Sequence, residues 1–377
     1  MNKILVCLAM ILIGAAAAAQ SGNDIMYVGT YSVRGSEGIY VFEFDRKAGT
    51  MHQIQTVANA KSPSFLAVHP SGKFLYAVNE AADPTASLGG VSAYAIDRAT
   101  GKLTFLNSQS SLGGAPCHIS IDQTGKTAFV SNYSGGSLAV LPIGLDGQLG
   151  AATDSVQNVG SGPNQKRQEK AHVHCATLAP DNRFVYVSDL GTDKLHILEI
   201  DAKASTVKPA STPYVTVKPG SGPRHSTFHP NGKYAYLVEE MASSVAVFSR
   251  DPKTGALTLI QDGVKTLPDD FTGQNTSADI HVDPSGKFLY QSNRGYNALA
   301  IFAIGNDGRL TKIGDQPTEG KTPRNFLIDP KGEFVFVANQ DSDNITIFKR
   351  DQKSGKLTYT GQSIKVPAPV CVIMGNR

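Results

Sequence analysis

Arg224, Glu240, Arg294, Arg324 and His174 are the side chains of this sequence best suited to do chemistry together. A guanidinium holds a carboxylate or phosphate through two parallel hydrogen bonds. A glutamate or histidine beside it can move a proton. Arginines crowded around a carboxylate are expensive to desolvate unless they are paired or face a ligand. Two readings follow. One is a site for an anionic small molecule; the other is a set of salt bridges, such as Glu240 with Arg294, that lock neighbouring structural units. His118 and His225 stand close to the same positions. A lone histidine of that kind is more often a hydrogen-bonded structural residue than a catalyst. These residues are far apart in sequence, so a repeated architecture must bring them together.

The repeat is legible. Six segments carry a short apolar strand, a turn of the Pro-x-Gly type and a second strand rich in aromatics. Examples are FLAVHPSGKFLYAVN (65–79), CATLAPDNRFVYVSD (175–189) and NFLIDPKGEFVFVAN (325–339). The turn markers Gly72, Gly125, Asn182, Gly232, Gly286 and Gly332 are 53, 57, 50, 54 and 46 residues apart. Alternation such as Phe74, Tyr76, Val78 fits a pleated strand. Third strands such as SVAVFSR (244–250) follow, then a Gly turn and a shorter fourth strand. Four antiparallel strands at this spacing describe a propeller blade. Residues 26–57 supply three strands of a seventh blade, and VPAPVCVIM (366–374) supplies its missing first strand. The sequence thus predicts an all-β, seven-bladed β-propeller, closed by the C-terminal strand joining the N-terminal blade. Residues 20–377 form one domain in this reading.

In such a ring the start of each first strand and the end of each second strand open on one face. The first-strand series is Ser64, Cys117, His174, Arg224, Ala278, Arg324. The series after the second strand is Glu80, Tyr133, Leu190, Glu240, Arg294, Gln340. His174, Arg224, Arg324, Glu240 and Arg294 are therefore predicted to ring one channel mouth, with His118 and His225 close behind. His69 and His229 precede turn prolines and read as structural, and His281 as core or channel lining. Two polar connections, 158–173 and 266–278, enter the same face as a rim. Lys166, Arg167 and Lys170 in the first offer charge to attract an anionic substrate, although a solvated charged loop is the favoured reading.

The 35 basic and 32 acidic residues nearly balance, which leaves no basic footprint for nucleic acid. Met1 to Ala19 read as a secretory signal: Lys3, an apolar run from Ile4 to Ile13, and small residues at Ala17 to Ala19. The expected product is periplasmic or secreted, with no stable membrane insertion after cleavage. Without Cys7, three cysteines remain, an odd number that argues against a disulfide framework. No metal-ligand spacing or cofactor motif is present, so neither metal nor cofactor is expected. The ring needs no partner to bury its core, and the chain is expected to be a monomer.

MYVGTYS near the start, HVHCATLAPDNRFVYVSDLGTDKL (172–195), GPRHSTFHPNGKYAYLVEE (222–240) and SNRG (292–295) carry a family likeness. Over about residues 24–374 the chain resembles the seven-bladed propeller lactonases, which include bacterial 6-phosphogluconolactonase and fungal carboxy-cis,cis-muconate cyclase. The resemblance implies a catalytic set of one His, two Arg and one Glu, matching His174, Arg224, Arg294 and Glu240. Arg324, His118, His225 and His172 become substrate-binding candidates; His172 competes with His174, and the repeat register favours His174. The implied substrate is a sugar-derived or carboxylated lactone, hydrolysed without metal or, in a muconate-type enzyme, formed by ring closure. An export signal fits poorly with a cytoplasmic phosphorylated substrate. Two rivals stand beside this reading. One is a non-catalytic propeller that binds a protein or glycan at its mouth; the other is a metal-dependent enzyme using Asp279, Asn325 and Glu240.

Overall fold

A computed structural model describes residues 23–58, 60–80 and 89–375. The signal segment and Cys7 lie outside the described residues. Among them, 28 strands form seven four-stranded antiparallel sheets, with one short 3-10 turn at Gln340–Ser342. The chain is a seven-bladed β-propeller. Six blades run in chain order from their first strands: Leu66–Val68, Pro116–Ile121, Val173–Leu178, Pro223–Phe228, Thr276–Val282 and Pro323–Ile328. In the seventh blade, Pro369–Met374 pairs with Asp24–Thr30, which continues to Gly38–Asp45 and Thr50–Ala58. Each first strand packs against its two neighbours, and the contacts run unbroken around all seven.

The hairpins form because their turns need a left-handed residue. Gly72, Gly125, Gly232, Gly286 and Gly332 sit at φ between 67° and 73°. Asn182 takes the same place at φ 57°, where asparagine pays least among residues with a side chain. The core is not a single mass. Seven apolar clusters lie between adjacent blades, one at each interface. Tyr76, Val78, Ile119 and Val130, for example, fill the first interface. Burial of each blade face therefore depends on its neighbour, and closing the ring leaves no blade face exposed. His69 and His229 stitch blades together: their Nε2 atoms bond the carbonyls of Gly125 and Gly286 at 2.8 and 2.9 Å. Cys117, Cys175 and Cys371 are buried free thiols.

Candidate active site

The channel mouth is built by a repeated irregularity. Five first strands of the in-order blades slip register near their start, between Pro116 and His118, Val173 and Cys175, Pro223 and Ser226, Ser277 and Ile280, and Pro323 and Asn325. The closing strand slips as well, opposite Gly29 and Thr30. A bulge leaves a residue out of the ladder and re-aims its side chain. The residues so released include Cys117, His174, Arg224 and Arg324. The second strands meet them from the side, delivering Glu80, Tyr133, Glu240 and Arg294. A cavity of about 220 Å³ is lined by Glu80, Cys117, Tyr133, Arg167, His174, Glu240, Arg294 and Arg324. Arg294 and Arg324 also line a wider outer hollow of about 600 Å³, bordered by Gln274, Asn275 and Thr276.

Glu240 is the hub. Its Oε2 lies 2.9 Å from Arg224 Nε and 3.0 Å from Arg294 Nη2, and its Oε1 lies 2.6 Å from Arg167 Nη2. Burial alone would raise its pKa. The charges of Arg294, Arg224 and Arg167 overcome that and hold it at about 2. It is ionised at any working pH and too weak a base to take a proton from water. The same burial presses on the cations: Arg224 and Arg294 are both pushed down, each by desolvation and by neighbouring arginines. Arg324 stacks 5.2 Å over the Tyr31 ring, and no carboxylate among the described residues comes within 4.0 Å of it. Four guanidinium groups thus crowd a space that holds two carboxylates.

The histidines behave differently. Burial, reinforced by the Arg224 charge, pushes His174 well below its ordinary range, so its imidazole is neutral at pH 7. Its ring meets Tyr133 and His225 edge to face at 5.5 and 5.2 Å. His225 and His118 lie deeper, around Phe65. His225 Nδ1 bonds Asp279 at 2.8 Å, and burial brings its pKa to about 4. His118 is lowered too, by burial and by His225.

The structure does not bring His172 to the cavity. It stacks on the outer side of Tyr133 at 4.5 Å, bonds the Tyr133 carbonyl and reaches Glu169. It packs against Tyr133 and is not among the residues that line the cavity. Asp279, Asn325 and Glu240 do not assemble as a metal set either. Asp279 is used by His225, by His281 at 2.9 Å and by the Asn325 amide at 2.6 Å, whereas Glu240 belongs to the arginines. Arg167 corrects the solvated-loop expectation: the 158–173 connection drops its guanidinium onto Glu240 and within 3.4 Å of the Tyr133 hydroxyl.

This buried chemistry makes stability depend on pH. His225 titrates near 6.5 in the unfolded chain and at about 4 when folded. Its stabilisation is complete above pH 6.5 and drains as pH falls to 4, because only the unfolded chain binds the proton. The loss from His225 alone is about 3 kcal/mol. His118 and His174 add to it. His281, raised by the Asp279 charge against the effect of burial, opposes them. Below pH 4 the depressed carboxylates of Asp279 and Glu240 carry the loss further. Urea melts at pH 7, 5.5 and 4.5 should show a monotonic fall, and equal stability at 7 and 4.5 would contradict these protonation states.

A family model described as lactonase, seven-bladed beta-propeller, matches residues 25–374. The chain belongs to the seven-bladed propeller lactonase family. Among its relatives, a Bacillus subtilis 6-phosphogluconolactonase is 37% identical over 92% of this chain and 97% of its own. A Formosa agariphila 6-phosphogluconolactonase is 38% identical over 90% and 96%. A solved structure of a Pseudomonas aeruginosa periplasmic gluconolactonase superimposes with a TM-score of 0.88. It is 33% identical and covers 94% of this chain and 99% of that one. In this member of the lactonase family, then, the arginine-rich cavity sits at the mouth of the ring.

Proposed function

We propose that the protein is an exported lactonase that hydrolyses an anionic or sugar-derived lactone in the arginine-lined cavity. The observation that carries this reading is an excess of buried positive charge beside a neutral imidazole. Arg167, Arg224 and Arg294 share Glu240, Arg324 has no carboxylate within 4.0 Å among the described residues, and the neutral His174, its Nδ1 3.9 Å from Cys117 Sγ, lines the same cavity. An anionic group, or the oxyanion that forms as a lactone carbonyl is attacked, would relieve the strain on Arg224 and Arg294. Water would add to the acyl carbon as His174 takes its proton. The ring C–O bond then breaks, and the leaving alkoxide recovers that proton from the imidazolium. The product is the open hydroxy acid. Glu240 orders the arginines and does not act as the base. The signal-like Met1–Ala19 segment and the periplasmic relative support export.

The test follows proton release in weak buffer from glucono-δ-lactone, its 6-phosphate and a carboxymuconolactone, with and without chelator. Wild-type turnover above the spontaneous rate, unaffected by chelator, is the expected result. Arg224→Ala should lower kcat by about 10²-fold, because Arg224 braces Glu240 and through it the arginines that line the cavity. Turnover of no lactone would favour a ligand-binding propeller instead.

A further inference from the structure

The cavity holds its two carboxylates in opposite ways. Glu240 is saturated by three arginines. Glu80, on the wall contributed by the first blade, is held among the described residues by hydroxyls alone. Ser64 Oγ donates to its Oε2 at 2.5 Å, and the Tyr31 hydroxyl lies 3.3 and 3.4 Å from its two oxygens. No cation among the described residues comes within 4.0 Å of it. Arg324, which would pair with it, instead lies on the face of the Tyr31 ring. Tyr31 therefore holds the two charges apart, giving its ring to the guanidinium and its hydroxyl to the carboxylate.

A carboxylate has about four acceptor positions and donates nothing when ionised. Ser64 and Tyr31 leave part of that capacity facing the cavity. Such a group attracts ligand hydroxyls and repels ligand anions. The guanidinium groups of Arg167, Arg294 and Arg324 in the same cavity do the reverse. Together they orient a ligand with its anionic or carbonyl end at the arginines and a hydroxylated edge at Glu80. The volume of about 220 Å³ leaves room for one small ring. A sugar lactone satisfies both kinds of group. A dicarboxylated lactone without hydroxyls would set its second carboxylate against Glu80.

We infer that Glu80, positioned by Ser64 and Tyr31, is the element of the cavity that recognises substrate hydroxyls. This rests on the lactonase reading above. The experiment compares Glu80→Gln with wild type on glucono-δ-lactone and on δ-valerolactone, the same ring without hydroxyls. For glucono-δ-lactone, kcat/KM should fall by about 10- to 100-fold, mainly through KM, as loss of charge-assisted hydrogen bonds implies. For δ-valerolactone it should change less than about 2-fold. Equal losses on both substrates, or no loss on either, overturn the assignment while leaving the enzyme a lactonase. If Glu80→Gln does not fold, Tyr31→Phe carries the same comparison with a smaller loss in the same direction. If wild type turns over no lactone, the lactonase reading fails, and calorimetric titration with gluconate decides the subsite by itself. Binding weakened about 10-fold by Glu80→Gln supports it; no binding to wild type overturns it.

Discussion

Glu240→Ala should cost the protein both its activity and much of its stability. The carboxylate neutralises two deeply buried guanidinium groups, Arg224 and Arg294, and a third, Arg167, that descends from the rim. Removing one partner of a buried ion pair leaves uncompensated charge and costs about 3–5 kcal/mol. Here the stranded charges repel one another as well. Turnover should fall by about 10³-fold or more, because the arginines lose the geometry that aims them at the reacting carbonyl. Two features set this apart from an ordinary core lesion. Glu240→Gln, which keeps the volume and the acceptor oxygen, should recover part of the stability and little of the activity. Phosphate or gluconate should stabilise Glu240→Ala more than wild type, since a bound anion takes the place of the missing carboxylate. Chemical denaturation with and without these anions makes the comparison. An alanine variant as stable as wild type, or indifferent to anions, would mean that Glu240 does not hold the arginines together.

The residues around Glu240 show what a repeat exposes and what it conceals. Glu240, Arg224, Arg294, Arg324 and His174 were legible because each departs from a pattern that six hairpins define, and the pattern itself states which positions converge. Closure of the seventh blade was legible for the same reason. Tyr31 was not, although it occupies the equivalent place after the second strand Asp24–Thr30. Its first-strand partner, Pro369–Met374, lies at the other end of the chain, so the hairpin that would have placed it is not contiguous. Glu80 and Tyr133 stood in the series, but a single acid or tyrosine there carried no contrast until the structure paired one with Tyr31 and the other with Arg167. Arg167 belongs to a connection outside the repeat, where periodicity has nothing to say. His172 lies off the cavity for a related reason. It precedes the bulge at His174 by two residues, and in a regular strand both would share a face. The bulge breaks that parity, sending His174 to the cavity and His172 behind Tyr133. Asp279 read as a metal ligand in one of the rival readings. Its link to His225, His281 and Asn325 joins different blades and different positions of one strand, which no linear spacing encodes.

His174→Ala should lower kcat by about 10²- to 10⁴-fold, the range expected for a lost proton acceptor. KM should hardly change, because the arginines that seat the anion remain. His174 shares the cavity wall with three other groups that can take a proton, Glu80, Glu240 and Cys117, and Glu80 is engaged by the Ser64 and Tyr31 hydroxyls. Glu240, at about 2, is ionised but too weak a base. Cys117 is pushed well above the ordinary thiol range, by burial first and by Glu80 next, and its Sγ donates to the His174 carbonyl at 3.3 Å. Burial and Arg224 keep the His174 imidazole neutral at pH 7. The pH profile distinguishes this role from a packing role. Wild-type kcat/KM should be flat near neutrality and fall in acid as His174 takes a proton, with the midpoint well below pH 6.5. The alanine variant should lose that limb, and added imidazole should restore part of its rate. It should also lose less stability than wild type between pH 7 and 4.5, having one fewer imidazole that refuses a proton when folded. Full turnover in His174→Ala, or an acid limb unchanged by the substitution, would move the proton acceptor elsewhere. His225 would be next: its Nδ1 is oriented by Asp279, and its Nε2 has no partner among the described residues.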